Sequence, residues 1–331
     1  MTVIDAHSHF LSPGSMDLLR RGDYPLAHIE ERNGSGPWVV CEQGLEYPLT
    51  PLFYDVETKL RWMDERGIDV ALTSIAAPLF FYELASEQQV LDVSREINDA
   101  AAELMKASGG RIIGVATVPM VAPELAAQEL RRACGELGLK GVEIGTSIAD
   151  KQLDDPSLEP FYSAAEEVGA PLFLHPYTFM LGLQSHPGFE RYFLLNTIGN
   201  PMETHLAAAR LTLGGVFDRH PGLVVHLSHG GGGLPFQLAR LDGTYNKRPY
   251  VRESASKPPS GYLSNLLFDT VLYDPAPIEF LLSTFGPERV VFGTDHPFDI
   301  ADLTGLEVAK RLGDDVAERV LGGNAARAYG L

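Results

Sequence analysis

The chain has 331 residues, of which 45% are hydrophobic and 21% charged, which is ordinary for a globular protein and sufficient for a large core. Its formal net charge of −18 argues against nucleic acid or an anionic membrane as the main partner, because both require a basic surface. Cys41 and Cys134 form no C-x-x-C pair, and the N-terminus MTVIDAHSHF lacks a signal segment, so we expect a cytoplasmic protein without disulfides or membrane spans.

Short β-branched or apolar runs recur along the chain, and a helical pattern follows each of them. The eight runs cover residues 3–4, 70–75, 112–118, 141–144, 170–174, 223–227, 266–268 and 289–292. Parallel neighbours cannot be joined by a tight turn, so this alternation predicts parallel strands with crossover helices. It favours the α/β class and a (β/α)8 TIM barrel that forms one domain over residues 1–331. An open sheet of six or seven strands is the alternative.

The helical patterns between these runs have recognisable ends. Asp55 is expected to cap one helix that ends at Gly67, and Pro123 begins another that ends near Gly138. Further helices are predicted over residues 158–168, 207–217 and 306–329, the last with breaks at Gly313 and around Gly322 and Gly323.

Two segments do not fit the β/α repeat. Residues 11–54 are rich in Gly and Pro, and residues 176–200 are rich in aromatic side chains. Both leave from the carboxyl ends of predicted strands, the first and the fifth, where barrel enzymes carry their substrate loops. We therefore predict two active-site loop insertions.

Five side chains that can bind a metal or move a proton fall at predicted strand ends. His7 and His9 are two residues apart, so the period of a strand directs both rings to one side. His175 ends the fifth strand in PLFLHP, His229 the sixth in VVHLSHGGGG, and Asp295 the eighth in VVFGTDHP. Any one of these histidines alone would more often be structural. Together, imidazoles and a carboxylate that converge at a barrel mouth predict a site for Zn²⁺ or a similar ion.

The motifs DAHSHF, FLHP, HGGG and GTDHPF together resemble the amidohydrolase superfamily. Within it they resemble the branch of aminocarboxymuconate-semialdehyde decarboxylase and γ-resorcylate decarboxylase, from Thr2 to the terminal GNAARAYGL. The resemblance implies one divalent metal ion, usually Zn²⁺ with Mn²⁺ as the alternative. Its implied ligands are His7, His9, His175 and Asp295, and the implied catalytic groups are His229 and Asp295.

The resemblance also bears on the number of metal ions. Dinuclear amidohydrolases carry a carboxylated lysine at the end of the fourth strand, where this chain has GVEIGTS with Glu143. One metal is therefore implied, although a bridge through Glu143 stays open. The simpler interpretation makes Glu143 a buried partner of a neighbouring group at the site. Asp5, two residues before His7, is predicted to orient a ligand, with a structural contact to a helix or strand as an equal alternative. His296, which follows Asp295, is expected to face away.

Arg240, in LPFQLARLD, matches a family arginine that reaches the active site of a neighbouring subunit and pairs with the substrate carboxylate, which implies a homodimer. A surface ion pair with Asp242 is the alternative. A second family arginine is missing from EYPLTPLFYD, which favours a substrate with a single carboxylate or a less charged ring. Phe80 and Phe81 are predicted to form an apolar wall, with simple core packing as the alternative.

These residues predict metal-dependent, non-oxidative decarboxylation of an aromatic or unsaturated carboxylic acid. Hydrolysis of an amide, lactone or C–C bond would use the same five side chains, and hydration of an unsaturated acid is a third reading. A barrel that only binds or scaffolds is the non-enzymatic alternative, and the presence of all five site residues argues against it.

Overall fold

The computed structural model of the chain describes residues 1–42, 45–76, 79, 82, 86–177, 188–189 and 191–331. The strands are β1 Ile4–His9, β2 Ala27–Arg32, β3 Gly36–Cys41, β4 Glu46–Pro48, β5 Val70–Ser74, β6 Ile112–Gly114, β7 Val142–Gly145, β8 Leu172–His175, β9 Val225–Leu227, β10 Leu266–Asp269 and β11 Val290–Val291. The α-helices are α1 Pro13–Arg21, α2 Val56–Arg66, α3 Glu87–Ala107, α4 Pro123–Gly135, α5 Glu159–Val168, α6 Asn200–Leu213, α7 Val216–Arg219, α8 Leu234–Lys247, α9 Pro275–Phe285, α10 Thr304–Arg311, α11 Asp314–Glu318 and α12 Asn324–Tyr329.

Parallel strands alternate with helices through most of the chain, as predicted for the α/β class. β1, β5 and β6 form one parallel sheet, and β7 to β11 form a second in sequence order. Single parallel bridges, Ser8 with His296 and Ala116 with Val142, join the two sheets at both of their edges. Nearly every residue of these strands is buried, because helices cover one face and the strand side chains pack together on the other.

The capping residues set the helix ends much as predicted. Asp55 accepts a hydrogen bond from the Thr58 amide at 2.8 Å, and Gly67 ends α2 with a left-handed φ of +67°. The single helix predicted over 207–217 is wrong, because the chain turns at Gly214 and Gly215 between α6 and α7. The predicted break at Gly313 is present, whereas residues 319–323 form a π-helical turn that continues into α12.

The segment 11–54 contains more regular structure than its composition suggests. It holds α1 and a small antiparallel sheet in the order β2-β3-β4. Gly and Pro here mark short turns between strands of three to six residues, too short for a clear alternating pattern. Of the segment 176–200, residues 178–187 and 190 lie outside the described residues, and 195–199 form a π-helical turn that leads into α6.

No helix in the described ranges combines the length and the apolar character that a membrane span requires.

Candidate metal centre

Four side chains meet at the carboxyl ends of the parallel strands. His7 and His9 lie on β1, His175 ends β8, and Asp295 follows β11. One ligand atom from each lies within 4.8 Å of the others, and all four residues are buried. The ring centroids of the three histidines are 5.0 to 5.3 Å apart. In the described part of the chain, no other group of His, Cys, Asp and Glu side chains converges in this way.

Hydrogen bonds at Nδ1 set which nitrogen of each histidine is free. The three Nδ1 atoms contact oxygens that only accept: His7 contacts Asp269 Oδ2 at 2.6 Å, His9 the Ile75 carbonyl at 2.9 Å, and His175 the Pro176 carbonyl at 2.8 Å. Each Nδ1 therefore carries a proton, which leaves Nε2 as the nitrogen that can bind a metal. The Nε2 atoms of His7 and His175 are buried and have no hydrogen-bond partner among the described residues.

The donor set fits a divalent cation. His9 Nε2 lies 3.2 Å from Asp295 Oδ1, and His7 Nε2 lies 3.3 Å from the same oxygen. Imidazole nitrogens that face a carboxylate at these distances require a proton or a metal ion between them. Three imidazole nitrogens and one carboxylate oxygen are ligands that suit Zn²⁺ and, with added oxygen ligands, Mn²⁺.

The electrostatics of the four residues favour the same conclusion. Burial lowers the pKa of His7, but the Asp295 and Asp269 carboxylates outweigh it and raise that pKa to about 10. Burial raises the pKa of Asp295, yet His7 and hydrogen bonds from the surrounding histidines hold it well below its ordinary value. Burial also lowers the pKa of His175 well below its usual range. Without a metal, His7 is thus protonated beside two carboxylates, and a divalent ion would supply the same positive charge when it displaces that proton.

Asp269 is a site residue that the sequence interpretation missed. It is fully buried at the end of β10, and its carboxylate accepts from His7 Nδ1 at 2.6 Å. It also accepts from the backbone amides of His229 at 3.0 Å, Gly230 at 2.9 Å and Val271 at 3.1 Å. Burial raises the pKa of Asp269, but His7 outweighs it and the result is about 2. The sequence signal that could have identified it is an acidic residue at the end of the strand LLFD.

His229 faces the carboxylate of the four-residue group. Its Nε2 lies 3.5 Å from Asp295 Oδ2, and its buried Nδ1 has no hydrogen-bond partner in the described structure. Both residues have left-handed backbones, with φ of +53° at His229 and +59° at Asp295. For non-glycine residues this conformation costs on the order of 1–2 kcal/mol each, and such strain clusters at functional sites.

The glycines after His229 allow the tight turn that holds it. Gly230, Gly231 and Gly232 all have positive φ values. A Cβ at Gly232 would lie 2.1 Å from the Pro201 carbonyl oxygen, which no side chain tolerates. The HGGG run therefore reflects backbone conformation and close packing against α6.

Asp5 and Glu143, both predicted to support the site, are buried and hydrogen-bonded near it. Asp5 accepts from the His7 amide at 3.2 Å and from the Thr294 hydroxyl at 2.6 Å, which links β1 to the segment before Asp295. Burial raises its pKa to about 6. Glu143 accepts from Ser74 Oγ at 2.9 Å, and Ser74 Oγ lies 3.1 Å from His9 Nδ1. Burial raises the pKa of Glu143 to about 8, and it is not part of the four-residue group.

A cavity of about 610 Å³ opens in front of His175, His229 and Asp295. Aromatic side chains line much of its wall: Trp38, Tyr47, Phe53, Phe193 and Phe298. The described lining residues include neither lysine nor arginine. Phe80 and Phe81, the predicted apolar wall, lie outside the described residues.

Arg240 is not brought into this cavity. It lies exposed on α8, and the described lining of the cavity does not include it. The alternative ion pair with Asp242 is also not among the described salt bridges, since Asp242 accepts from the Ser260 amide at 3.0 Å instead. Arg240 is thus exposed on the outer surface, and the described part of its own cavity's lining contains no lysine or arginine.

Comparisons with known proteins agree with this geometry. A 2-amino-3-carboxymuconate-6-semialdehyde decarboxylase of Dictyostelium discoideum is 32% identical over 344 residues, which cover 99% of this chain and 91% of that protein. A γ-resorcylate decarboxylase of Rhodococcus jostii is 30% identical, covering 73% of this chain and 77% of that protein. The crystal structure of 5-carboxyvanillate decarboxylase from Sphingomonas paucimobilis superposes with a TM-score of 0.82 at 26% identity, covering 100% of this chain and 99% of that one.

One further solved structure bears on the metal. A 5-carboxyvanillate decarboxylase from Novosphingobium aromaticivorans, with bound manganese, superposes with a TM-score of 0.81 at 25% identity, covering 100% of this chain and 97% of that one. The family model described as amidohydrolase matches residues 4–331. This chain therefore belongs to the amidohydrolase family, in the branch that also contains the aminocarboxymuconate-semialdehyde and γ-resorcylate decarboxylases.

Proposed function

We propose that this protein is a metal-dependent, non-oxidative decarboxylase whose substrate is an aromatic acid with a single carboxylate. The observation that carries the proposal is the four-residue group with His229, placed at the base of an aromatic cavity. The named relatives above are all decarboxylases, which supports this reaction over hydrolysis. The cavity lining described here has no cation of its own, so it suits a substrate with few charges.

In this proposal the metal ligands are the Nε2 atoms of His7, His9 and His175 and the carboxylate of Asp295. A divalent ion bound there supplies positive charge that stabilises electron density as it builds on a substrate oxygen. Zn²⁺ is the proposed native ion on the basis of the nitrogen-rich donor set, with Mn²⁺ as the alternative because a relative binds it.

The reaction replaces a C–CO₂⁻ bond by a C–H bond. The carboxylate leaves as CO₂, the electron pair of the broken bond stays on the ring carbon, and one proton is added there. His229 Nε2 and Asp295 Oδ2, 3.5 Å apart, are placed to hold that proton and deliver it. Asp269 holds His229 and His7 in position, because its carboxylate accepts hydrogen bonds from the His229 amide and from His7 Nδ1. The aromatic walls contact the substrate ring and exclude water.

The barrel, its two active-site loops and the homodimer are part of the same proposal. Residues 1–331 form one domain whose two sheets close into a (β/α)8 barrel, supported by the parallel bridges at both sheet edges. The segments 11–54 and 176–200 are its active-site loops. The protein acts as a homodimer in which Arg240 reaches the partner's cavity, supported by its exposure and by the absence of lysine and arginine from the described lining of its own cavity.

The test begins with metal content per chain, measured by plasma mass spectrometry on untagged protein after gel filtration. About one ion per chain is expected, and about two would move the assignment to a bridged site through Glu143 and to hydrolysis. The loaded protein is then assayed for CO₂ release from 2,6-dihydroxybenzoate, 5-carboxyvanillate and 6-methylsalicylate, beside a panel of amides and lactones. Turnover of the amides or lactones without CO₂ release from the three acids would overturn the proposal.

A further inference from the structure

A fully buried lysine lies beneath the metal centre. Lys59, on α2, has no solvent exposure. Its ammonium group lies 2.5 Å from Ser8 Oγ and 2.7 Å from His296 Nδ1. Ser8 stands between His7 and His9, and His296 directly follows Asp295. Lys59 therefore joins the two chain segments that carry three of the four candidate ligands.

The ring of His296 is held from a second side by the same helix. Trp62, one turn after Lys59 on α2, stacks on His296 with ring centroids 3.7 Å apart and planes inclined by 28°. The ring of His296 contacts α2 and is not part of the four-residue group, while His296 and Trp62 both line the cavity that contains Asp295. The helix α2 thus fixes both the position and the plane of this imidazole.

The lysine also determines the tautomer of His296. An ammonium group donates hydrogen bonds and cannot accept them, so His296 Nδ1 must be the acceptor. The neutral ring then carries its proton on Nε2. That Nε2 is buried and has no hydrogen-bond partner in the described residues, although His296 is only 2% exposed. A buried N–H without an acceptor is costly, and His296 lines the cavity, so a ligand bound there is the candidate acceptor.

We propose that the Nε2–H group of His296 donates a hydrogen bond to an oxygen of the bound aromatic acid, and that Lys59 is a positioning residue that keeps the proton on that nitrogen. The proposal rests on the proposed function for the kind of ligand. It adds a hydrogen-bond donor to a cavity whose described lining has no cation. Recognition of the substrate oxygen thereby depends on a residue of α2 that never touches the substrate.

The first arm of the test needs no turnover. The full chain is labelled with ¹⁵N-histidine and loaded with Zn²⁺, and its imidazole tautomers are read by long-range ¹H–¹⁵N correlation spectra, with His296→Phe identifying the signal. We expect His296 as the Nε2–H tautomer in the wild type and a population of Nδ1–H in Lys59→Met. An Nδ1–H tautomer in the wild type would overturn the proposal even where Lys59→Met fails to fold.

The second arm measures binding of 2,6-dihydroxybenzoate to the same loaded protein by calorimetry, with metal content checked for each variant. His296→Phe keeps the ring stacked on Trp62 but removes the donor, and should weaken binding about tenfold. His296→Gln retains a donor near the position of Nε2 and should bind within about threefold of the wild type. Equal binding by His296→Phe, or no binding by the wild type, refutes the donor role. The expected differences without CO₂ release from any substrate support the donor role and refute decarboxylation instead.

Discussion

The substitution Asp269→Asn tests how far one buried carboxylate organises the metal centre. Its Oδ2 accepts from His7 Nδ1 and from the His229 amide, and its Oδ1 accepts from the amides of Gly230 and Val271. Asparagine has one oxygen and one NH₂ group in these places. Whichever way the amide is oriented, its NH₂ faces two N–H donors, so two hydrogen bonds are lost.

The size of the effect follows from these contacts. A hydrogen bond to a charged acceptor contributes about 1.5–3 kcal/mol, so we expect the metal-free protein to lose about 3–6 kcal/mol of unfolding free energy. His7 also loses the carboxylate that fixes its ring. Loss of such a partner typically weakens metal binding about 10–100-fold. Guanidinium unfolding of the metal-free protein and chelator competition for Zn²⁺ measure the two quantities separately.

Asp302→Asn is the matched control. Asp302 is also buried, and its carboxylate accepts from the amides of Leu272 at 3.0 Å, Tyr273 at 2.7 Å and Thr304 at 2.8 Å, with no histidine among them. With its oxygen toward the Leu272 and Tyr273 amides, asparagine loses one hydrogen bond here, so this variant should lose about 1.5–3 kcal/mol of unfolding free energy and keep the wild-type affinity for Zn²⁺. Unchanged affinity in Asp269→Asn, or an equal loss in both variants, would refute the assigned role of Asp269.

Three further outcomes are expected. His229→Asn, a side chain that tolerates the left-handed backbone at this position, should slow CO₂ release by about 10²–10⁴-fold at an unchanged metal content; a loss of the metal would make His229 a ligand. Burial raises the pKa of Glu143 from 4.5 to about 8, so the folded chain keeps a proton that the unfolded chain releases between these values. Wild-type stability should therefore fall relative to Glu143→Gln as pH rises through that window, by roughly 1 kcal/mol per pH unit in urea unfolding of the metal-free protein; parallel curves would contradict a buried neutral carboxyl. Arg240→Gln should be nearly inactive alone, and should regain activity when its chains are mixed and refolded with His229→Asn chains, since one of the two sites of a mixed dimer then has an intact arginine and histidine. Failure of the mixture to exceed either parent would exclude Arg240 from the partner's site.

The strand ends were the part of the site that could be predicted from sequence. A buried parallel strand reads as a short apolar run, and a His or Asp at its carboxyl end stands out, as in FLHP and GTDHP. His7, His9, His175 and Asp295 were located by this rule, and the structure brings them together. The same rule applies to Asp269, but a single acid without a recognised motif gave no reason to prefer it over a surface carboxylate.

Other features depend on contacts that no local pattern encodes. Lys59 lies in the amphipathic sequence of α2, where a lysine is normally solvated, and only the packing of α2 against β1 and the segment around His296 buries it. The antiparallel sheet of β2 to β4 is held by pairing between short strands rather than by a periodic core face. The predicted cytoplasmic location, the homodimer and the native metal stay predictions.

The small sheet formed by β2, β3 and β4 affects how the choice of substrate can change in evolution. Trp38 and Tyr47 on this sheet form part of the cavity wall, whereas the candidate metal ligands lie on or just after the parallel strands. This part of the wall and the reaction centre are thus encoded by different stretches of the gene. Substitutions or length changes within 27–48 can reshape which ring the cavity accepts while the chemistry beneath it is inherited intact. Paralogues that diverge in substrate choice should accordingly vary most in this stretch.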